Sequence, residues 1–223
     1  MKIIKHLDVK IPVYEDVFSP NLLKSFTDGK YEHQEARELG RIIQEGERIL
    51  EIGAGVGFIS TIVSRNPLTA SVRCYEANPR LIPVIQEVHA LNAVSNVEVR
   101  NGVLGHSGES ATFYLRNDFW ASSLSKGPFP YTGTVEVRCF DFNREIEEYR
   151  PTLIICDIEG GELELFESSV LSGVKKVYVE VHQRVLGRRG MLRLFQAMGL
   201  RGFHYDQHHS SGGVVLFSHI GRT

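Results

Sequence analysis

Short apolar runs ending in glycine or an acid alternate with stretches of helical periodicity along most of the chain. This is the pattern of a mostly parallel sheet covered on both faces. Arg48 to Ile52 is such a run, followed by a helical stretch from Phe58 to Arg65 that Asn66-Pro67 stops. Ser71 to Glu76 predicts a second strand. Asn78-Pro79 predicts a cap, with proline at the first helical position, for a helix reaching Leu91. Val97 to Asn101, Leu153 to Ile158 and Lys176 to Val181 predict three further strands, with a helix near Glu162 to Ser168 between the last two. A helix from Arg189 to Met198 precedes strands near Phe203 to Tyr205 and Val214 to Ser218. The link His208 to Gly213 is too short for a helical crossover, so the final strand should run antiparallel to its neighbour. The expected fold class is α/β: a doubly wound, mostly parallel seven-stranded, Rossmann-like sheet.

Two regions depart from the alternation. Residues 1–46 read as an N-terminal cap ending in a helix from about His33 to Glu45, ahead of a domain spanning 47–223. An insertion at about 105–140 lies in a connection too long for a plain crossover. Two strands, Ala111 to Leu115 and Val135 to Phe140, flank its Gly/Pro/Ser-rich loop, Trp120 to Gly133.

Composition narrows the function. The 223 residues carry 25 Lys plus Arg against 27 Asp plus Glu, a net charge of -2. That lacks the electrostatic footprint of a non-specific nucleic-acid binder. Cys74, Cys139 and Cys156 are odd in number and lack zinc spacing, which points to a reducing, cytoplasmic setting. No stretch approaches the roughly 18 apolar residues of a membrane span. The opening MKIIKHLDVKIPVYED is broken before a signal-peptide run develops.

The segment Glu51-Ile52-Gly53-Ala54-Gly55-Val56-Gly57 places a glycine turn between strand and helix. Glycines let a ligand approach the backbone, and free N–H groups at the helix start favour an anion. Glu76 ends the next strand, where it can reach a ribose lying over the turn. A dinucleotide fingerprint would place its third glycine at Phe58, so that fingerprint fails. Acid-x-G-x-G-x-G is instead the pattern of class I methyltransferases that bind S-adenosyl-L-methionine. The turn would back the methionine part, and Glu51 would attract the α-ammonium, directly or through water.

The sequence further resembles the FkbM family of methyltransferases from about Asp28 to His182. The resemblance is carried by Tyr31-Glu32, EIGAGVGFIS, YEANP, Ser122-Ser123-Leu124, Asp141, DIEGGELELF from Asp157 and VEVH ending at His182. It implies O-methylation of a hydroxyl on a small molecule, sugar or secondary metabolite. The cofactor shell it implies is Glu32, Glu51, Gly53, Ala54, Gly55, Gly57, Glu76, Ala77, Gly102, Val103 and Asp157.

Asp157 and Glu159 end one strand, Glu180 and His182 the next, and period-two spacing turns each pair to one face. Glu159 and His182 are the candidates for acceptor contact or general base. An imidazole with its ordinary pKa of about 6.5 is partly free at neutral pH. Two carboxylates and a histidine also suit a hard cation, but no ligand spacing demands one, and no metal is expected. His204, His208 and His209 straddle a hairpin and read as solvent-facing polar residues. Arg184, Arg188, Arg189 and Arg193 read as a solvated helix end. Phe119 and Trp120 would either stack on an acceptor or anchor the long loop. The expected partner is a small-molecule or glycan acceptor, with no nucleic acid and no membrane. Nucleic-acid or protein methylation is the alternative, against which the fourth strand lacks Asp/Asn-Pro-Pro-aromatic. A nicotinamide oxidoreductase and a non-catalytic cofactor-binding module are weaker readings.

Overall fold

The chain opens with a hairpin, β1 (Lys2–His6) and β2 (Val9–Val13), and two helices, α1 (Pro20–Thr27) and α2 (His33–Ile42). Strict alternation follows through β3 (Glu47–Ile52), α3 (Phe58–Ser64), β4 (Thr69–Glu76), α4 (Ile82–Leu91) and β5 (Val97–Asn101). Three strands, β6 (Val103–Gly105), β7 (Ser110–Leu115) and β8 (Gly133–Asp141), lead to α5 (Phe142–Tyr149). The last part comprises β9 (Leu153–Cys156), α6 (Glu162–Glu167), β10 (Lys176–Glu180), α7 (Gln183–Leu200), β11 (Phe203–Ser211) and β12 (Val214–His219). This computed structural model describes every residue except Met1, Asp16, Ser107, Phe119, Trp120, Pro128, Phe129 and Thr223.

Seven strands form the central sheet in the order β11-β12-β10-β9-β3-β4-β5. Strands β10, β9, β3, β4 and β5 are parallel, whereas β12 runs antiparallel to both neighbours, as the short final link requires. Alternate residues of the central strands feed two cores. Ile49, Ile155, Tyr178 and Leu216 face α2, α3 and α4. Leu50, Ile154, Val177 and Phe217 face α5, α6 and α7. Burial on both faces explains why these strands read as unbroken apolar runs.

The structure departs from the sequence expectations at several boundaries. Residues 1–46 begin with a hairpin whose two-residue turn, Leu7-Asp8, has φ of 45° and 62°. That turn geometry usually draws Asn-Gly, and Leu7-Asp8 carries no such signal. Val9, Ile11, Leu22 and Phe26 join the same core as Ile49 and Phe58, so this segment is packed into the domain. Asn78 forms a turn, accepting Arg80 N–H on its side chain, and α4 starts only at Ile82. The unanticipated α5 is capped by the Asp141 side chain, which accepts from Arg144 N–H at 2.8 Å. Helix α7 begins six residues early and bends at Gly187, whose φ of 66° and ψ of 175° interrupt it. Among the described residues no helix is long and apolar enough to cross a membrane.

Candidate active site

Strand register sets Tyr75, Ile52, Cys156 and Val179 side by side. The next residue on each strand, Glu76, Gly53, Asp157 and Glu180, therefore emerges in one row at the carboxyl edge of the sheet. Gly53 has φ of +90°, and a Cβ there would lie 1.9 Å from the Asp157 carbonyl oxygen. Gly57, with φ of +79°, would push a Cβ to 2.9 Å from Ile85, so it packs α3 onto α4.

Four of the turn's amides are already engaged within the protein. Gly53 and Ala54 N–H donate to Tyr75 O, both at 3.0 Å, and Gly57 N–H donates to Ala54 O at 2.8 Å. Gly55 N–H donates to Glu76 Oε2 at 2.8 Å, and Asn78 N–H to Glu76 Oε1 at 2.7 Å. Glu76 and the glycine turn are thus joined directly. Burial still raises the Glu76 carboxyl to about 7 against those backbone hydrogen bonds.

Above the turn opens a cavity of about 430 Å³. Of the residues singled out in the sequence, Glu32, Gly53, Gly55, Glu76, Ala77, Gly102, Val103, Asp157 and Glu159 line it. Ala54 and Gly57 do not: the former is buried in the core and the latter packs against α4. The far wall comes from the small sheet of β6, β7 and β8, through Leu104, His106, Ala111, Phe113 and Cys139. None of these five was among the expected site residues, and β6, which carries Leu104, is only three residues long and ordered by its pairing with β8. Ser122, Ser123 and Leu124 also line the cavity. The two serine hydroxyls are held within the insertion: Ser122 Oγ accepts from Arg116 N–H, and Ser123 Oγ donates to Ser125 O. Phe119 and Trp120 lie outside the described residues.

A second, small cavity of about 30 Å³ sits under α2, lined by Glu32, Glu35, Glu51, Asp157, Tyr178 and Glu180 among others. Gly53, Asp157 and Glu32 border both cavities. Glu51 opens only onto the small one, where burial drives its carboxyl to about 8 and leaves Oε2 without a hydrogen-bond partner. Glu32 occupies a left-handed conformation (φ 43°) at the start of α2, an uncommon state for a non-glycine residue. Desolvation and the nearby Asp157 raise its carboxyl well above the usual range.

The structure changes the reading of His182. Its side chain is 16% exposed and does not line the larger cavity. Nδ1 donates to Glu162 Oε1 at 2.5 Å, and Nε2 faces Glu159 at 3.5 Å, Asp157 at 3.9 Å and Glu180 at 4.0 Å. Burial alone would lower its pKa, but the Glu162 hydrogen bond and the surrounding carboxylates hold it at about 9. This environment favours the protonated ring over the free base expected from its ordinary pKa. Desolvation and Glu180 push Asp157 up to about 7, and desolvation raises Glu159 and Glu180. The other histidines fall apart as a cluster: His209 pairs with Glu38, while His204 is exposed. Arg193 of the basic group pairs with Glu167.

A doubly wound sheet, a glycine turn bonded to the acid on the adjacent strand, and a cavity above both define an α/β protein with its cavity at the carboxyl edge of the sheet. Residues 51–205 match the Methyltransferase FkbM domain family, more than half of the chain, and the protein belongs to that family. It is an S-adenosyl-L-methionine-dependent methyltransferase. No curated protein matches the sequence. Among solved structures, Trm5b from Pyrococcus abyssi is similar at 16% identity and TM-score 0.54, covering 97% of this chain and 55% of its own. TYW2 from Pyrococcus horikoshii, solved with MeSAdo, is similar at 14% identity and TM-score 0.52, covering 96% and 68%. A Pyrococcus horikoshii protein described as a transferase gives 14% and 0.52, covering 97% and 71%. At these identities the likeness shows the fold. The chain spans about half the length of Trm5b.

Proposed function

We propose that the protein methylates a hydroxyl of a small molecule or glycan, in a cytoplasmic setting. The observation that carries this reading is the acidic wall. Beyond the glycine turn the larger cavity is bounded by Asp157, raised to about 7, and Glu159, raised by desolvation, so a carboxylate able to take a hydroxyl proton would stand at the reaction end. The same acids repel a phosphate backbone, which argues against nucleic acid as acceptor.

The residues present fit the cofactor. Glu76 is placed to accept hydrogen bonds from a ribose diol, and Gly53 and Gly55 allow close approach at its side. Gly102, Val103 and Leu104 offer a flat, mostly apolar wall for the base. The unpartnered Glu51 Oε2 opens onto the small cavity, where a water would relay it to an ammonium group. When bound, the cofactor supplies an electrophilic sulfonium methyl, which an in-line oxygen attacks. Asp157 would hold the cofactor's methionine end, Glu159 would take the acceptor's proton, and the His182 ring, held by Glu162, would position both carboxylates. Incubation with labelled S-adenosyl-L-methionine and hydroxylated metabolites or glycans should yield methyl ethers. Label appearing only in RNA or protein would overturn the reading.

A further inference from the structure

We propose that Asp157, Glu180 and His182 form a divalent-cation site, suited to Mn²⁺ or Mg²⁺, where Asp157 and Glu180 line the small cavity. One oxygen from each carboxylate and one imidazole nitrogen lie within 4.8 Å of one another. His182 Nε2 is 3.9 Å from Asp157 Oδ1 and 4.0 Å from Glu180 Oε1. These distances exceed a hydrogen bond. They match the separations of ligands that share an ion at about 2.0–2.4 Å, roughly 3–5 Å apart.

The surroundings support a ligand role for the ring. Glu162, fully buried, holds Nδ1 at 2.5 Å and so turns Nε2 toward the two carboxylates. A carboxylate behind a ligating histidine fixes tautomer and orientation in this way. An independent feature points to an occupant. Tyr178 is 2% exposed, its hydroxyl has no partner, and it lines the small cavity beside Asp157 and Glu180. The cavity's roughly 30 Å³ accommodates about one water. A water carried by the ion would give the phenol its missing partner. Two carboxylates, one imidazole and water form an oxygen-rich set, which favours Mg²⁺ or Mn²⁺ over the sulfur- and nitrogen-rich sets of structural zinc.

Glu159, 3.5 Å from Nε2, stays at the rim of the larger cavity. An ion bound here would orient and polarise an acceptor hydroxyl beside it. Only that use rests on the hydroxyl reading above; the site stands on its own geometry.

The test is titration of chelator-treated full-length protein with MnCl₂, reading free Mn²⁺ by electron paramagnetic resonance. One Mn²⁺ per chain is expected, with Asp157→Asn, Glu180→Gln and His182→Gln each weakening it at least about tenfold. Glu148→Gln, on α5 and paired with Arg144, should leave binding unchanged. Thermal melts check that the variants fold. Absence of a stoichiometric Mn²⁺ site in the wild-type protein overturns the inference whatever the variants do, and so does equal affinity in folded variants. If Mn²⁺ binds as expected while the methylated acceptor is RNA or protein, the acceptor reading falls and the cation site stands.

Discussion

The two halves of the sheet's carboxyl edge treat their carboxylates in opposite ways. On the β4 side, Glu76 is 7% exposed, yet each of its oxygens accepts a backbone N–H from a rigid turn. Its position is fixed and its lone pairs are partly satisfied, which suits holding a neutral polar partner. On the β9–β10 side, Asp157, Glu159, Glu162 and Glu180 crowd around one imidazole. That group has more negative charge than its single cation balances, which suits moving a proton or holding a cation. One edge of one sheet thus solvates its acids in two different ways, which matches the proposed division between binding and chemistry.

The largest expected effect comes from joining the two halves badly. Gly53→Ala would drive a methyl group into the Asp157 carbonyl and adopt an unfavourable φ. Destabilisation of roughly 3 kcal/mol or more is expected, with loss of the thermal shift induced by S-adenosylhomocysteine. A variant with normal melting and normal shift would show that the close contact is not required.

Next is the chemical half alone. Glu159→Gln should lower the transfer rate by roughly 100-fold or more while leaving cofactor affinity within about threefold. A similar loss in both would make Glu159 a binding residue and erase the distinction. The reverse pattern is expected for Glu76→Ala. Losing charge-assisted hydrogen bonds of roughly 1.5–3 kcal/mol should weaken cofactor binding about 10- to 150-fold. Isothermal titration calorimetry on both variants checks the pair.

The smallest effect sharpens the comparison through pH. Glu76 has its folded pKa raised to about 7 from 4.5, so at pH 6 it is mostly protonated and a poorer acceptor. Cofactor affinity should rise about tenfold from pH 6 to 8, as the ionised fraction grows from about 0.1 to 0.9. Glu51, raised to about 8, acts in the same direction toward an ammonium group. Glu76→Gln should therefore flatten the profile only in part. The same raised pKa values mean that the ligand-free protein binds more protons folded than unfolded between about pH 4.5 and 8. Its stability from these groups is present at low pH and falls as pH rises through that window.

Much of this edge was legible in the sequence. The central strands are buried on both faces, so Ile49-Leu50, Leu153 to Cys156 and Val177 to Val179 announce themselves as apolar runs. Parallel register then aligns Gly53, Glu76 and Asp157 with no further information. What stayed hidden depends on contacts between distant segments. The first hairpin turns on Leu7-Asp8 without a glycine, and β6 exists only through β8. The state of His182 is set by Glu162, twenty residues away and wholly buried, which nothing in the local VEVH run discloses. The small cavity draws Glu35 from α2 and Tyr178 from β10, two positions that carry no motif.

The central claim is that the turn from Gly53 to Gly57 and the Glu76 carboxylate hold one nucleoside while Asp157 and Glu159 face its reactive end. A crystal structure with S-adenosylhomocysteine tests it most directly. The account predicts both ribose hydroxyls within about 3 Å of the Glu76 carboxylate and the sulfur directed toward Asp157 and Glu159. A ligand whose ribose lies away from Glu76, or whose sulfur points toward β5 instead, would contradict it.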